Sequence, residues 1–490
     1  MAFKHGIYPS ERPTGIQAPV QVNSAMPVAF VTAPVHLSED PYAQVNVPRL
    51  CFTYQEAVRA FGFNIRPEIW NAYTAPQFIH SFFVLYAVAP MVIVNVLDPH
   101  VHYTGGSVSL AFYGDSTLLT EDGTPVEGVL IDSIIIAGYT AGEDYTASFN
   151  RDGHVVISGI GGALSDGLSV DVRFKKLAPE KVDIYDIIGG YDMESDKNLG
   201  LEIIDDVFPR FRLVPGQILA PRFSSDPAVA SIMDTKAGSI NGHFSCIAHI
   251  DVPTVVENSN GEKTRLKYTD VPAWKNENNI TSTRHIPCYP MLRLGNQIYD
   301  YSTQLAGLIA RTDSENRGVP YNSPSNQSLN INGLCDANGD EIVLGTQKAN
   351  FLNSQGIMTA DNFTAGWVAW GNRTGAFPGN TDPKDAFIPI RRMFDWILNT
   401  IVLTHWSRIS SPLTLRRIET IVDSINMWFN GLSQQEFILG GRIEIAGDNV
   451  ETDLMNGQIA FDIHITPPPP LEAAKFRAEY DVAYLQALFR

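Results

Sequence analysis

Two amphipathic runs stand back to back in the last third of the chain. Ile390, Phe394, Ile397 and Ile401 recur at intervals of four, three and four residues, and Ile418, Val422, Ile425, Phe429 and Leu432 at four, three, four and three. Each set falls on one face of an α-helix. The break between them, 407–412, is short and closes on a proline suited to a helix start, which predicts a helical hairpin. Just upstream, Trp367 and Trp370 lead into Gly371-Asn372-Arg373-Thr374 and the turn-forming run 378–385. Glycine, asparagine, aspartate and proline in that density specify a structured loop.

Before this region the pattern alternates between strand and helix. Residues 28–31 and the unbroken apolar run 91–96 read as strands, the second buried on both faces. Residues 53–61 and 75–86 read as helices, so 26–97 opens an α/β domain. From 98 to 180 the pattern is all-β: short β-prone runs at 107–113, 129–136, 144–149, 155–158 and 169–174, separated by glycine-containing turns. The α/β alternation resumes over 181–362, with helices at 199–207, 227–237 and 302–312 and strands at 217–220, 244–250 and near 285–287. The hairpin segment, 363–466, ends in two strands: Ile443 and Ile445 share one face of the first, and Ile459, Phe461, Ile463 and Ile465 one face of the second.

Both ends read as extended arms. Residues 1–25 hold Pro9, Pro13 and Pro19 with little periodicity and could reach about 80 Å when straight. At the other end, the four prolines 467–470 make a stiff spacer of about 12 Å. Beyond them Phe476, Ala478, Tyr480 and Val482 alternate with Arg477, Glu479 and Asp481. That is a half-buried strand held away from its own domain within 467–490.

Composition narrows the class. The 490 residues are 44% hydrophobic and 18% charged, a globular balance with material for several domains. A formal charge of −18 argues against a general nucleic-acid or anionic-membrane binder. Cys51, Cys246, Cys288 and Cys335 are widely spaced without a CxxC pair, which suits buried thiols in a reducing compartment. The first residues lack the apolar segment of a secretory signal. The most apolar stretch, 82–97, is interrupted by Pro90 and Asn95 and falls short of the roughly 18 apolar residues of a spanning helix. Production and assembly in the cytoplasm are expected.

The run 366–396, GWVAWGNRTGAFPGNTDPKDAFIPIRRMFDW, resembles the tail sheath proteins of contractile-tailed phages and related contractile injection particles. So do GIYPSERPTG at 6–15, VPGQILAP at 214–221, VPYNSPSN at 319–326 and ANFLN at 349–353, and the matches span almost the whole chain. The resemblance implies a subtilisin-like α/β core, an inserted β-sandwich or barrel on the outer surface, and a C-terminal inner domain. It implies a structural subunit that polymerises as a helical cylinder around a tail tube and contracts to drive the tube through a host envelope. Expected partners are further copies of the chain, the tube protein, and baseplate and terminator proteins, in a virion assembled in bacterial cytoplasm. Nucleic acid, membrane insertion, metal and cofactor are not expected. Strand exchange between subunits would use Ile7, Tyr8, Ile16, Phe476, Ala478, Tyr480, Val482 and Leu485, while Arg391, Arg392, Arg416 and Arg417 would face the tube. The alternatives are a soluble subtilisin-like hydrolase and a non-contractile tube or baseplate protein.

The residues argue against the hydrolase. Asp234, His243, Ser323 and Ser325 occur in the order of a subtilisin triad, but no glycine follows Asp234 in the protease pattern and no nucleophile motif is present. Asp98, His100 and His102 would share one face of a strand; lacking a fourth ligand, they read as an exposed connector. No phosphate-binding loop occurs, and Gly159-Ile160-Gly161-Gly162 is a turn. No enzymatic activity is expected.

Overall fold

A computed structural model describes residues 23–257, 260–364, 366–482 and 484. The unbroken apolar runs become the middle of a six-stranded sheet. Its strands are β1 (Pro27–Val31), β2 (Arg49–Cys51), β3 (Met91–Asn95), β4 (Gln217–Leu219), β5 (Ile247–Asp251) and β6 (His285–Cys288), ordered β6-β5-β4-β1-β3-β2. All neighbours run parallel except β2, which is antiparallel to β3. Every residue of β1, β3, β4, β5 and β6 is buried, as expected of parallel strands covered on both faces. Helix α1 (Tyr301–Glu315) is buried along most of its length. It packs so closely that a Cβ on Gly307 would lie 2.7 Å from the Tyr86 ring.

The main core continues from this sheet into the hairpin, through Met393, Trp396, Ile397, Phe429, Leu432 and Ile443. Helices α2 (Ile388–His405) and α3 (Leu415–Gln434) form the hairpin, and the two-stranded ladder of β7 (Gly440–Ile445) and β8 (Phe461–Thr466) follows. Asn426 of α3 holds β7 by bonding both the N–H and the C=O of Ile443.

Two three-stranded sheets lie between residues 103 and 177. Tyr103–Ala111, Ser169–Leu177 and Val129–Ile136 make one; Ser116–Leu118, Val155–Gly159 and Tyr145–Phe149 make the other. Their inward side chains, among them Phe112, Ile157, Val172 and Phe174, form a hydrophobic cluster separate from the main core. Arg66 braces this part against the α/β body by a bidentate pair with Glu127 at 2.5 and 2.8 Å.

Several elements differ from the periodicity. The expected helix over 199–207 is divided: a strand at Lys197–Leu199, a 3-10 turn at Gly200–Ile203 and an α-helix at Ile204–Phe211. Gly200 sits at φ +56°, a left-handed conformation that a side chain would strain. Strand β5 starts three residues later than expected, because Phe244 is held in a turn with Ile240. Pro412 does not open the second helix, which starts at Leu415 after Thr414. Helix α2 is not simply amphipathic: Ile390 and Ile397 are buried, Phe394 and Ile401 are half-buried, and Arg391, Arg392 and Asp395 are buried with them. All four cysteines are buried free thiols, and among the described residues no helix is long and apolar enough to cross a membrane.

The sheet also buries polar groups. His249 of β5 donates from Nε2 to Gln217 Oε1 at 2.7 Å, and Gln217 Nε2 donates to Ala25 O at 2.7 Å. Burial, helped by the Arg392 charge, drives the His249 imidazole down to about 3; burial and then Arg66 do the same for His36. Both rings are neutral in the fold and protonate in the unfolded chain below about pH 6.5. The unfolded state therefore binds more protons, and stability falls as pH drops from about 6.5 toward 3. Chemical denaturation should show a loss of roughly 2 kcal/mol per histidine between pH 6.5 and 5. His249→Gln should reduce that slope.

Candidate assembly interface

Helix α2 joins four parts of the chain through buried charge. Arg392 forms a bidentate pair with Asp313 of α1, with Nη1 to Oδ1 at 3.0 Å, and its Nη2 donates to Ser24 O at 3.3 Å. Ser24 Oγ lies 2.5 Å from Asp313 Oδ2. One turn along, Asp395 accepts from Arg391 at 3.1 Å, from Arg284 at 3.0 Å and from Ser245 Oγ at 2.9 Å. Asn399 brackets the Ser245 backbone, accepting from its N–H and donating to its C=O. The segments leading into β5 and β6, the end of α1 and the first described residues are thus pinned to one helix. Asp385 adds a second carboxylate beside Arg391 at 3.4 Å.

This corrects the expectation for two of the four basic candidates. Arg391 and Arg392 are buried and paired, so they do not face outward; Arg416 and Arg417, on the first turn of α3, are exposed. Sequence spacing could not reveal this for Arg392, because Asp313 lies far from α2 along the chain, whereas the partners of Arg391, Asp395 and Asp385, are close in sequence. An arginine fork amid distant aspartates is satisfied only once the fold assembles them.

The C-terminal arm leaves from β8. Its prolines lie along a groove of about 830 Å³ lined in part by Tyr321, Asn350, Trp370 and Phe377. Arg373 fastens the arm there. Its guanidinium lies over the Phe387 ring at 3.7 Å and the Phe377 ring at 4.4 Å, and it grips Glu472 with two bonds of 2.8 and 2.6 Å. Beyond Glu472 the described residues form no strand. Phe476, Tyr480 and Val482 are 95%, 75% and 65% exposed, and Ala478 is exposed as well. The expected half-buried strand is therefore not formed among the described residues, where these apolar side chains stand exposed. Ile7, Tyr8, Ile16 and Leu485 lie outside the described residues.

The residues considered for chemistry are scattered. Asp234 accepts a hydrogen bond from Ser282 Oγ; His243 is exposed and meets Trp406 edge to face, ring centres 4.8 Å apart. Ser325 Oγ accepts from Gly371 N at 3.0 Å, and Ser323 Oγ from Ser325 N at 3.1 Å. Asp98, His100 and His102 occupy a turn rather than a strand. His102 is buried, contrary to expectation: Nδ1 accepts from Asp98 N at 2.9 Å and Nε2 faces the Asp186 carboxylate at 3.2 Å. His100 stacks on Tyr42 instead. Among the described residues no group of three or more His, Cys, Asp or Glu is placed to hold a metal ion.

What remains prominent is a rigid mixed α/β body with an apolar arm tethered at its root. Known proteins match this chain along its whole length. It is 24% identical to the tail sheath protein of Burkholderia phage BcepMu over 99% of this chain and 98% of that protein. The chain resembles the contractile tail sheath proteins of phages along its whole length. The tail sheath protein of Escherichia phage P2 is 24% identical over 59% of this chain and 68% of that protein. The fold is that of the sheath complex of an extracellular contractile injection system, PVC, in its contracted state: TM-score 0.59, 13% identity, 99% of both chains covered. The contracted helical sheath of the anti-feeding prophage gives 0.56, at 14% identity over 98% of this chain and 100% of that one. No protein-family model matches.

In this chain the Arg392–Asp313 pair sets the stability of the hairpin's attachment. Asp313→Asn should leave a buried arginine without a counter-charge and lower the unfolding free energy by about 3–5 kcal/mol, measured by denaturant titration.

Proposed function

We propose that many copies of this chain polymerise as a helical cylinder around a tail tube and contract to drive the tube through a host envelope. The observation that carries this reading is an exposed apolar arm, anchored at its root, on a chain that aligns end to end with a phage sheath protein. An unpaired alternating strand is an aggregation hazard unless a sheet edge receives it. Among the described residues the β7–β8 ladder has two strands, so each has a free edge there. Strand addition between copies answers both needs: backbone bonds give strength and alternate side chains set register. Phe476, Ala478, Tyr480, Val482 and Leu485 from one arm, and Ile7, Tyr8 and Ile16 from the other, are the proposed exchanging residues.

The body around the six-stranded sheet (26–97 with 181–362) is assigned a subtilisin-like core, the β module at 98–180 the outer surface, and 363–466 the inner domain. The exposed Arg416 and Arg417 of α3 are then the candidates to face the tube. Baseplate and terminator proteins would close the cylinder's ends, in a virion built in bacterial cytoplasm, and the role is structural rather than enzymatic. Contraction in this scheme is a switch between two lattice packings of nearly rigid subunits linked by their arms. A few kcal/mol per subunit suffice when neighbours are coupled.

Removing residues 471–490, or the first 20, should leave a folded monomer that forms no cylinders, judged by circular dichroism, size-exclusion chromatography and negative-stain microscopy. Phe476→Asp with Tyr480→Asp should do the same, since charge is heavily disfavoured in a buried strand. Normal cylinders from either truncation would refute arm exchange; an unfolded monomer would mean that the arm pairs within its own chain. Replacing 98–180 by a short linker should leave a soluble core, because loop closure adds little entropy cost. Insolubility across several linkers would place the module inside the main core.

A further inference from the structure

A cavity of about 470 Å³ opens at the carboxyl ends of β5 and β6. Such ends are where open α/β sheets take ligands. Two carboxylates line it. Asp251, the last residue of β5, is fully engaged with the first turn of α1: Oδ1 accepts from Ser302 N at 2.8 Å and Oδ2 from Ser302 Oγ at 2.5 Å. Asp300 precedes the same helix, is 5% exposed, and makes no side-chain capping bond. Its Oδ2 is buried without any hydrogen-bond partner. The positive end of a helix supplies roughly half a unit charge, which offsets one acid in part but not two. Arg222 also lines the cavity; its guanidinium donates to Ala72 O at 3.1 Å and Asn71 O at 2.8 Å, and its charge partly offsets that of Asp300 without bonding it.

We propose that this cavity binds one divalent cation, held by the Asp300 carboxylate with Asp251 beside it and otherwise by water and neutral oxygens. Gln77, Thr254 and Asn338 line the same cavity and carry such oxygens. The ligand set selects a hard cation. Carboxylate, amide, hydroxyl and water oxygens suit calcium or magnesium, and magnesium commonly binds through only one or two carboxylates while keeping several waters. Cys288 also lines the cavity, but its thiol is directed to Ile286 O at 3.3 Å and burial holds it protonated. A thiolate-seeking metal is therefore not favoured. The site is independent of the arms and of the lattice reading above.

The full-length chain, stripped with chelator, would be titrated with terbium while exciting tyrosine, since Tyr301 lines the cavity next to Asp300. Calcium and magnesium would follow by calorimetry. One saturable site per chain is expected, with sensitised emission competed away by calcium. Asp300→Asn should weaken binding at least tenfold, yet melt no lower than wild type without cation, because it removes a buried acid whose Oδ2 has no hydrogen-bond partner. Tyr301→Phe should keep the calorimetric binding but lose most of the emission. The inference fails if wild type shows no saturable site. It fails equally if Asp300→Asn binds as wild type does, or if emission survives in Tyr301→Phe, since the ion would then sit elsewhere on an acidic surface. Should Asp300→Asn not fold, the titration of wild type and Tyr301→Phe decides.

Discussion

The Arg392–Asp313 pair is the constraint on which the rest of the molecule depends. Both side chains are 3% exposed, so neither charge can return to water without opening the core. Burial of such a pair contributes little net stability, but breaking it is expensive, because the remaining charge is stranded. Ser24, at the start of the described chain, is bonded into the same cluster. Strands β5 and β6 reach it through Ser245, Arg284 and Asp395. The result is a body in which sheet, hairpin and chain start hold one mutual geometry.

That rigidity gives meaning to the arm at the other end. A flexible body could fold its own apolar residues away; this one leaves Phe476 and Tyr480 in solvent. The Arg373–Glu472 clamp is of a different kind from the interior pair. Its side chains are 16% and 41% exposed, and a pair open to water contributes at most about 1 kcal/mol. It can steer the arm as it leaves the groove, and it can give way when a stronger ladder is offered. Strong fixation inside and weak fixation at the edge suit a subunit that moves as a unit while keeping its connections.

The β module illustrates a looser coupling. Its own cluster is built on Phe112, Ile157 and Phe174, while Leu130 and Leu177 of its strands pack into the main core and an Arg66–Glu127 ion pair adds a polar bridge.

Elements set by local pattern were legible before any fold. The apolar run 91–96 could only be a strand covered on both faces, and the spacing of Ile425, Phe429 and Leu432 could only be a helix face; both are buried in the structure. The alternation around Phe476 reads as a strand, but the described residues there form none and leave Phe476 and Tyr480 exposed. The direction of charged side chains was not legible. Arg391 and Arg392 looked like surface residues beside an apolar stripe, and His102 like part of an exposed connector. Arg392 and His102 find their partners in Asp313 and Asp186, which the sequence leaves many residues away, and Asp395, only four residues from Arg391, is itself buried against Arg284. Nor could spacing show that Asp251 and Asp300 share a cavity. Periodicity is a property of neighbours along the chain, so the sequence by itself determined most of the strands and helices. Compensation of a buried charge depends on who is near in space, and only the tertiary structure could decide that.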